Sequence, residues 1–246
     1  MKTSYCESGA YESGACESGA CEIGIDEAGR GPMLGRVYAA AVILPASPFN
    51  HALMKDSKKF HSEKKIQEAA AYIKANAIAW AVAYSSESVI DEVNIRNATH
   101  QAMHKAVQYI LAPANAAAAP ANAAALATDV VGQKNAHFSA KPTADILLLV
   151  DGNDFPTLYS AAMEPVSHIC IEGGDNTYTC IAAASILAKV ARDNYIAELC
   201  AAEPMLITHY DLLKNKGYGT KKHMDGIKEH GITPYHRKSF GICKQF

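Results

Sequence analysis

Asp26 and Glu27 stand directly after the apolar run Ile23-Gly-Ile25 and directly before Ala28-Gly-Arg-Gly31. Asp151 ends the apolar run Ile146–Val150 and is followed by Gly152, while Asp175 follows Gly173-Gly174 just ahead of the apolar segment beginning at Ile181. Acids in these places sit at strand ends, where ligands usually meet an α/β sheet. Four converging carboxylates repel one another unless cations neutralise them, so a site for a hard divalent ion is the natural chemistry. Magnesium takes oxygen ligands and keeps water, and two such ions can clamp an in-line phosphoryl displacement. Asp and Gly are also common in turns, and for one Asp-Gly pair the turn reading is the better one. For the whole set, the residues alone leave both readings standing.

The elements that must position these acids alternate between strand and helix. Ile23–Asp26 and Val37–Leu44 read as strands joined by the Gly-rich turn Gly29-Arg-Gly-Pro32, and Ile78–Tyr84 as a third. Ser62–Ala75 reads as a helix with Ser62 as N-cap. Asn94–Leu111 has apolar residues at 95, 98, 102, 103, 106, 107 and 110, the spacing of an amphipathic helix. Ile146–Val150 reads as a buried strand, Pro165–Ile171 as a weaker fifth, and Ile181–Leu199 as a helix. The pattern is α/β with a mixed sheet, its first strands hairpin-linked and its later ones separated by helices.

Two stretches are of low complexity. Glu-Ser-Gly-Ala recurs with a period of five from Glu7, Glu12 and Glu17, so residues 1–21 are expected to be a flexible head. Pro-Ala-Asn-Ala-Ala-Ala occurs at Pro113 and again at Pro120, and 112–143 is expected to be an inserted surface excursion of no chemical importance. The remainder, 22–246, is expected to be one domain.

Hydrophobic residues at 49% and charged residues at 20% are an ordinary globular balance, and no apolar run is long enough to span a membrane. The N-terminus has no apolar signal segment, and a soluble, cytoplasmic protein is expected. Cys6, Cys16 and Cys21 lie in the head, whereas Cys170, Cys180, Cys200 and Cys243 are scattered among apolar residues. With an odd count and no C-x-x-C pair, buried free thiols are expected rather than disulfides or zinc. The net charge of −2 says nothing for nucleic acid, but its distribution does. Residues 1–22 carry −3, and residues 214–246 carry +6 from eight Lys or Arg against Asp225 and Glu229. Such a basic tail reads as a phosphate-binding surface or, equally, as a solvated face.

Taken together, Gly24-Ile-Asp-Glu-Ala-Gly-Arg-Gly-Pro32, Asp56-Ser-Lys-Lys59, Asn94-Ile with Ala98-Thr99, Val150-Asp-Gly-Asn153, Gly174-Asp175, Ile181–Asp193, Gly217-Tyr-Gly-Thr220 and His236-Arg-Lys-Ser-Phe240 resemble, in order, the motifs of the type 2 ribonucleases H, the ribonuclease HII family. The resemblance covers about residues 22–241 and is broken mainly by the alanine-rich stretch. It implies that 22–246 is the catalytic domain, a ribonuclease H-like mixed sheet flanked by helices, with a helical C-terminal part. It also implies that Asp26, Glu27, Asp151 and Asp175 are catalytic and hold two Mg2+ or Mn2+ ions, one helping to deprotonate the attacking water and the other stabilising the leaving 3′ oxygen.

The implied substrate is an RNA–DNA hybrid, or a DNA duplex containing ribonucleotides that is cut 5′ of a single ribonucleotide to leave 5′-phosphate and 3′-hydroxyl ends. Roles in ribonucleotide removal from DNA and in RNA primer removal follow from the same resemblance. Backbone groups of Gly29, Arg30 and Gly31 would read the 2′-hydroxyl, which distinguishes RNA from DNA, and Tyr218 resembles the tyrosine that stacks on the following sugar. Lys58 and Lys189 are candidates for phosphate contacts, with Arg192 and the basic tail behind them. Asp193 reads as structural beside Arg192; His236, Arg237 and Ser239 have no role derivable from sequence; His209 and His223 read as surface histidines.

The chain departs from the family pattern at Gly173, where many members carry a lysine two residues before the fourth carboxylate. The head is too short to be the extra N-terminal domain of the type 3 enzymes. Ser239–Phe246 shows no sliding-clamp peptide, and a monomer is the expectation by resemblance. Two other readings compete: a catalytically silent hybrid-binding protein, and a metal-dependent phosphoryl-transfer enzyme indifferent to the 2′-hydroxyl.

Overall fold

The computed structural model describes residues 1–5, 21–112, 129–134 and 142–246. Six strands form one mixed sheet in the order β4-β3-β2-β1-β5-β6. Strands β1 (Cys21–Ala28), β2 (Val37–Ile43) and β3 (Ala79–Ser85) form an antiparallel meander, extended at its edge by β4 (Val130–Lys134). On the other side of β1, β5 (Ile146–Asp151) and β6 (Ser167–Ile171) run parallel to it. The sheet is therefore α/β and mixed, as the alternation of elements predicts.

Helices cover both faces, which is why β2 is buried at every residue. Helix α2 (Glu87–Leu111) lays Ala102, Met103, Ala106, Val107 and Ile110 on Ile23, Ile25, Ala39 and Ala41. On the opposite face, α1 (Glu63–Asn76) and α3 (Thr179–Ala202) pack on Tyr38, Ala40, Val42 and Trp80. The alanines let α3 come close, and at Gly24 there is no room at all: a Cβ there would lie 2.2 Å from the Cys180 carbonyl carbon. Beyond α3, the short helices α4 (Met205–Tyr210) and α5 (Leu212–Asn215) and the longer α6 (Lys221–His230) close a separate core around Leu34, Leu199, Tyr210 and Ile227.

Several sequence expectations are corrected. Val130–Lys134 lies within the expected excursion 112–143 yet pairs with β3 as an edge strand, because its backbone completes the antiparallel ladder despite having a single buried residue. The connection from β5 to β6 holds turns and the isolated Tyr159–Pro165 bridge, with no helix. The expected helix Asn94–Leu111 continues upstream to Glu87, but Asn94 itself is non-helical at φ 69°, and its side chain accepts the Asn97 N–H at 3.1 Å as an N-cap. Ser62 occupies the N-cap position of α1 without a side-chain hydrogen bond.

Most of the head, 6–20, and most of 112–143 lie outside the described residues, as do Cys6 and Cys16. The first five residues are not loose: the Lys2 N–H donates to the Thr177 carbonyl at 2.8 Å, and the Ser4 hydroxyl donates to Glu22 at 2.6 Å. The five described cysteines are free thiols. Among the described residues, no helix is long and apolar enough to cross a membrane.

Candidate active site

Successive residues of a strand face opposite sides of its sheet. Ile23 and Ile25 enter the α2 core, so Asp26 points to the α3 side; Leu148 and Val150 likewise leave Asp151 on that side. Parallel pairing of Ile25 with Val150 then sets Asp26 and Asp151 on adjacent strands at the same level. Asp175 follows β6 in the one-turn 3-10 helix Gly174–Asn176, and its N–H reaches Asp151 Oδ1 at 3.4 Å. Glu27 closes the group, its N–H donating to Asp26 Oδ1 at 2.6 Å and its carboxylate pairing with Arg30 at 3.4 Å.

Crowding and burial disfavour charge on these acids. Burial pushes the Asp26 carboxyl well above the usual carboxylate range, and the charges of Glu27 and Asp151 add to it. Burial also raises Glu27, against the pull of Arg30, and raises Asp175, with Asp151 and Asp56 contributing. Burial would lower the Lys58 ammonium, yet Asp175, Asp56, Asp26 and Asp151 together lift it above its ordinary value. The site is thus an all-oxygen donor set short of positive charge, which fits a hard divalent cation. Among the described residues, no three Asp, Glu, His or Cys side chains are drawn together tightly enough to hold an ion alone. An ion held here would take one or two carboxylates and complete its shell with water and phosphate oxygens, the usual manner of magnesium.

These acids floor a cleft of about 440 Å³. Every predicted site residue except Asp175 lines it: Asp26, Glu27 and Asp151 below, Gly29, Arg30 and Gly31 on one wall, Lys58, Lys189 and Tyr218 around the rest. Asp175 lies behind Asp151 and is 4% exposed. The two turns meet, since a Cβ on Gly31 would sit 3.4 Å from Tyr218 Cε1, and the Tyr218 ring is half exposed. Lys214 and Lys216 of the basic tail also line the cleft, whereas Lys221 and Lys222 pair with Asp225 and Asp211.

Several residues that shape the site lie in the quoted motifs but play a structural part there that the sequence does not disclose. Arg237 is fully buried and gathers the turn's carbonyls: Nη2 donates to Gly29 O at 2.6 Å and Arg36 O at 3.2 Å, Nη1 to Arg30 O at 3.0 Å and Pro32 O at 2.7 Å, Nε to Gly35 O at 2.7 Å. A trans peptide points its N–H opposite its C=O. Anchoring the carbonyls of Gly29 and Arg30 on Arg237 therefore turns the amides of Arg30 and Gly31 away from it, on a wall that faces the cleft. Arg192 works beside it, donating to Lys216 O at 2.6 Å and Leu34 O at 3.5 Å. Gly29, at φ 97°, leaves Arg192 its space, for a Cβ there would lie 2.4 Å from Nε.

Asp193 pairs with Lys189 at 2.7 Å, not with Arg192, because i and i+4 share a helix face and i+1 does not. Ser185 hydrogen-bonds Ser57 at 3.0 Å and helps hold Asp26, and Asp56 caps the turn carrying Lys58 by accepting its N–H at 2.8 Å. His223, expected at the surface, is fully buried, while His209 is half-buried.

Comparison with known proteins agrees with this geometry. The family model described as ribonuclease HII matches residues 23–119 and 121–243. The ribonuclease HII of Phocaeicola vulgatus is 40% identical over 219 residues, 88% of this chain and 87% of that protein. That of Parabacteroides distasonis is 41% identical over 220 residues, 89% of each. Among solved structures, the ribonuclease H2 of Pyrococcus horikoshii shares the fold with a TM-score of 0.62 at 18% identity, covering 91% of this chain and 95% of that one. The ribonuclease HII of Archaeoglobus fulgidus, solved in complex with PCNA, gives 0.59 at 20% identity, covering 90% and 96%. The chain belongs to the ribonuclease HII family, and it is a nuclease, a hydrolase with ribonuclease H activity.

Proposed function

We propose that the cleft hydrolyses the RNA strand of RNA–DNA hybrids and cuts on the 5′ side of a single ribonucleotide embedded in duplex DNA, leaving 5′-phosphate and 3′-hydroxyl ends. In the cell this serves removal of ribonucleotides from DNA and of RNA primers. The observation that carries the reading is the meeting of Asp26, Glu27 and Asp151 with Gly29, Arg30 and Gly31 in one cleft, with Tyr218 packed beside Gly31.

Asp26, Glu27, Asp151 and Asp175 are the residues to hold Mg2+ or Mn2+, directly or through water. Two such ions, when bound, supply a nucleophile at neutral pH and neutralise charge on the attacking and leaving oxygens. The protein's own part is to place and select. The amides of Arg30 and Gly31 offer donors to a 2′-hydroxyl and its phosphate, at a glycine turn that lets a sugar come close. Tyr218 presents a half-exposed ring to the neighbouring sugar. Lys58, Lys189, Lys214 and Lys216 contact phosphates without reading sequence.

An end-labelled DNA duplex with one ribonucleotide, an all-DNA control and a long hybrid test this with magnesium or manganese. The expected result is cutting 5′ of the ribonucleotide, none in the control, and a loss of at least about a thousandfold in Asp151→Asn. Cutting of long hybrids alone would remove the junction role of Tyr218 and the glycine turn. Binding without cutting in either metal would leave a silent hybrid-binding protein.

A further inference from the structure

His223 and His236 are 0% and 1% exposed and lie behind the tyrosine turn. Their hydrogen bonds admit one arrangement of protons. The Thr233 N–H donates to His236 Nδ1 at 2.9 Å, so that nitrogen is the acceptor and the ring proton is on Nε2. His236 Nε2 lies 3.1 Å from His223 Nε2, which must therefore accept. The His223 proton is then on Nδ1, and that nitrogen is 3.0 Å from the Tyr218 carbonyl oxygen. A second proton on either ring would set N–H against N–H or against the Thr233 amide. The Tyr210 ring packs on both imidazoles, with centroids 5.9 Å and 5.0 Å away.

We propose that His236 and His223 form a neutral two-ring relay that positions Tyr218 against the glycine turn, a pair of positioning residues for recognising the junction between a ribonucleotide and the deoxyribonucleotide after it. The proposal rests on the reading of Tyr218 given above. Nothing in the relay touches the reacting atoms. It sets the carbonyl of the residue whose ring does the reading, and the same ring lies 5.8 Å from the buried Arg192 guanidinium. Burial holds both imidazoles below their ordinary pKa, His236 down to about 4, so the pair is neutral at physiological pH.

Nitrogen-15 spectra of the ring nitrogens in the wild-type protein, without substrate, test the relay directly. His223 is expected with its proton on Nδ1, the less common tautomer, and His236 with its proton on Nε2. The reverse tautomers, or averaging between them, overturn the relay whatever the enzyme cuts. The second measurement compares kcat/KM on one embedded ribonucleotide with that on a long hybrid. His223→Leu is expected to lose about tenfold more on the embedded ribonucleotide, the worth of one hydrogen bond at the reading residue. His223→Asn, whose amide nitrogen stands where the ring Nδ1 stands, is expected to recover most of that loss. Equal losses on both substrates, or no recovery with Asn, would show the pair to be ordinary core and overturn its positioning role. If His223→Leu does not fold, the wild-type tautomers and the Asn variant still decide. Correct tautomers in a wild type that cuts no embedded ribonucleotide would overturn the substrate reading, and with it the role given to the relay.

Discussion

The floor of the cleft, at the ends of β1 and β5, and its rim, the turn at 29–36, both bury charge, and they complete it differently. On the floor, Asp26 is 4% exposed and its carboxyl is pushed up, first by burial and then by the like charges of Glu27 and Asp151. On the rim, burial is also the largest influence on Arg237, which is lowered to about 9 with Arg192 adding to the effect. Yet all five Arg237 hydrogen bonds are made to main-chain carbonyls of the chain itself. The rim is therefore finished before any ligand arrives and can act as a preorganised template. The floor is left short of positive charge, which is what a bound divalent cation would supply.

Removing the rim's guanidinium gives the largest expected effect. Arg237→Met removes the donor from five main-chain carbonyls, three in buried hydrogen bonds and two in part-buried ones, and a loss of about 4 kcal/mol, roughly 10 °C in Tm, is expected. Arg237→Lys is expected to recover little, having three donors without the planar fork. A thermal scan showing either variant within a degree or two of wild type would mean that the rim holds itself.

The histidine support behind the rim should respond to acid next most strongly. Its folded pKa is depressed, so its stability is full above the unfolded value of about 6.5 and is lost as pH falls from there toward about 4. The loss over that window is on the order of 3 kcal/mol. Urea unfolding of wild type and His236→Gln across it should differ in slope by about one proton. Parallel slopes would refute a neutral buried His236.

The smallest effect belongs to the floor and has the opposite sign. A carboxyl raised in the folded state lends stability that is full below its unfolded pKa and lost as pH rises through the folded value. Asp26→Asn should therefore raise the Tm of metal-free protein at pH 8 by about 2–4 °C, with the gain shrinking in acid, while abolishing cutting. An Asp26→Asn variant no more stable than wild type under chelator would contradict the picture of a floor short of positive charge.

The floor was legible in the sequence because its information is local. Asp26 and Glu27 directly follow one apolar run and Asp151 ends another, and the glycine turn comes within a few residues of the first pair. The support of the rim was not, because its bonds join residues 201–208 positions apart, and Arg237, though part of the His236–Phe240 motif, shows no sign in sequence that its guanidinium is buried. His223 was misplaced for a related reason: α6 is polar in composition although His223, Gly226 and Ile227 share its buried face, and the groups that cover His223, the Tyr210 ring and His236, lie outside the helix. Strand β4 hid beside alanine repeats with only Val130 buried, since edge pairing needs a free ladder rather than apolar alternation. The Lys189–Asp193 pair was readable from helical spacing alone.

The contact of Gly24 with Cys180 and Ile181 governs how this chain can drift. Even one methyl group there would meet three backbone atoms of α3 at 2.2–2.5 Å, and close-packed interiors do not absorb such overlap. A wider neighbour at 24 would move the helix that carries Ser185 and Lys189, so a change two residues from an acid would misplace chemistry it never touches. At Gly152 and Gly173 there is open space, and only their positive φ stands against substitution. Descendants of this sequence meet a conformational cost at Gly152 and Gly173 and a steric bar at Gly24.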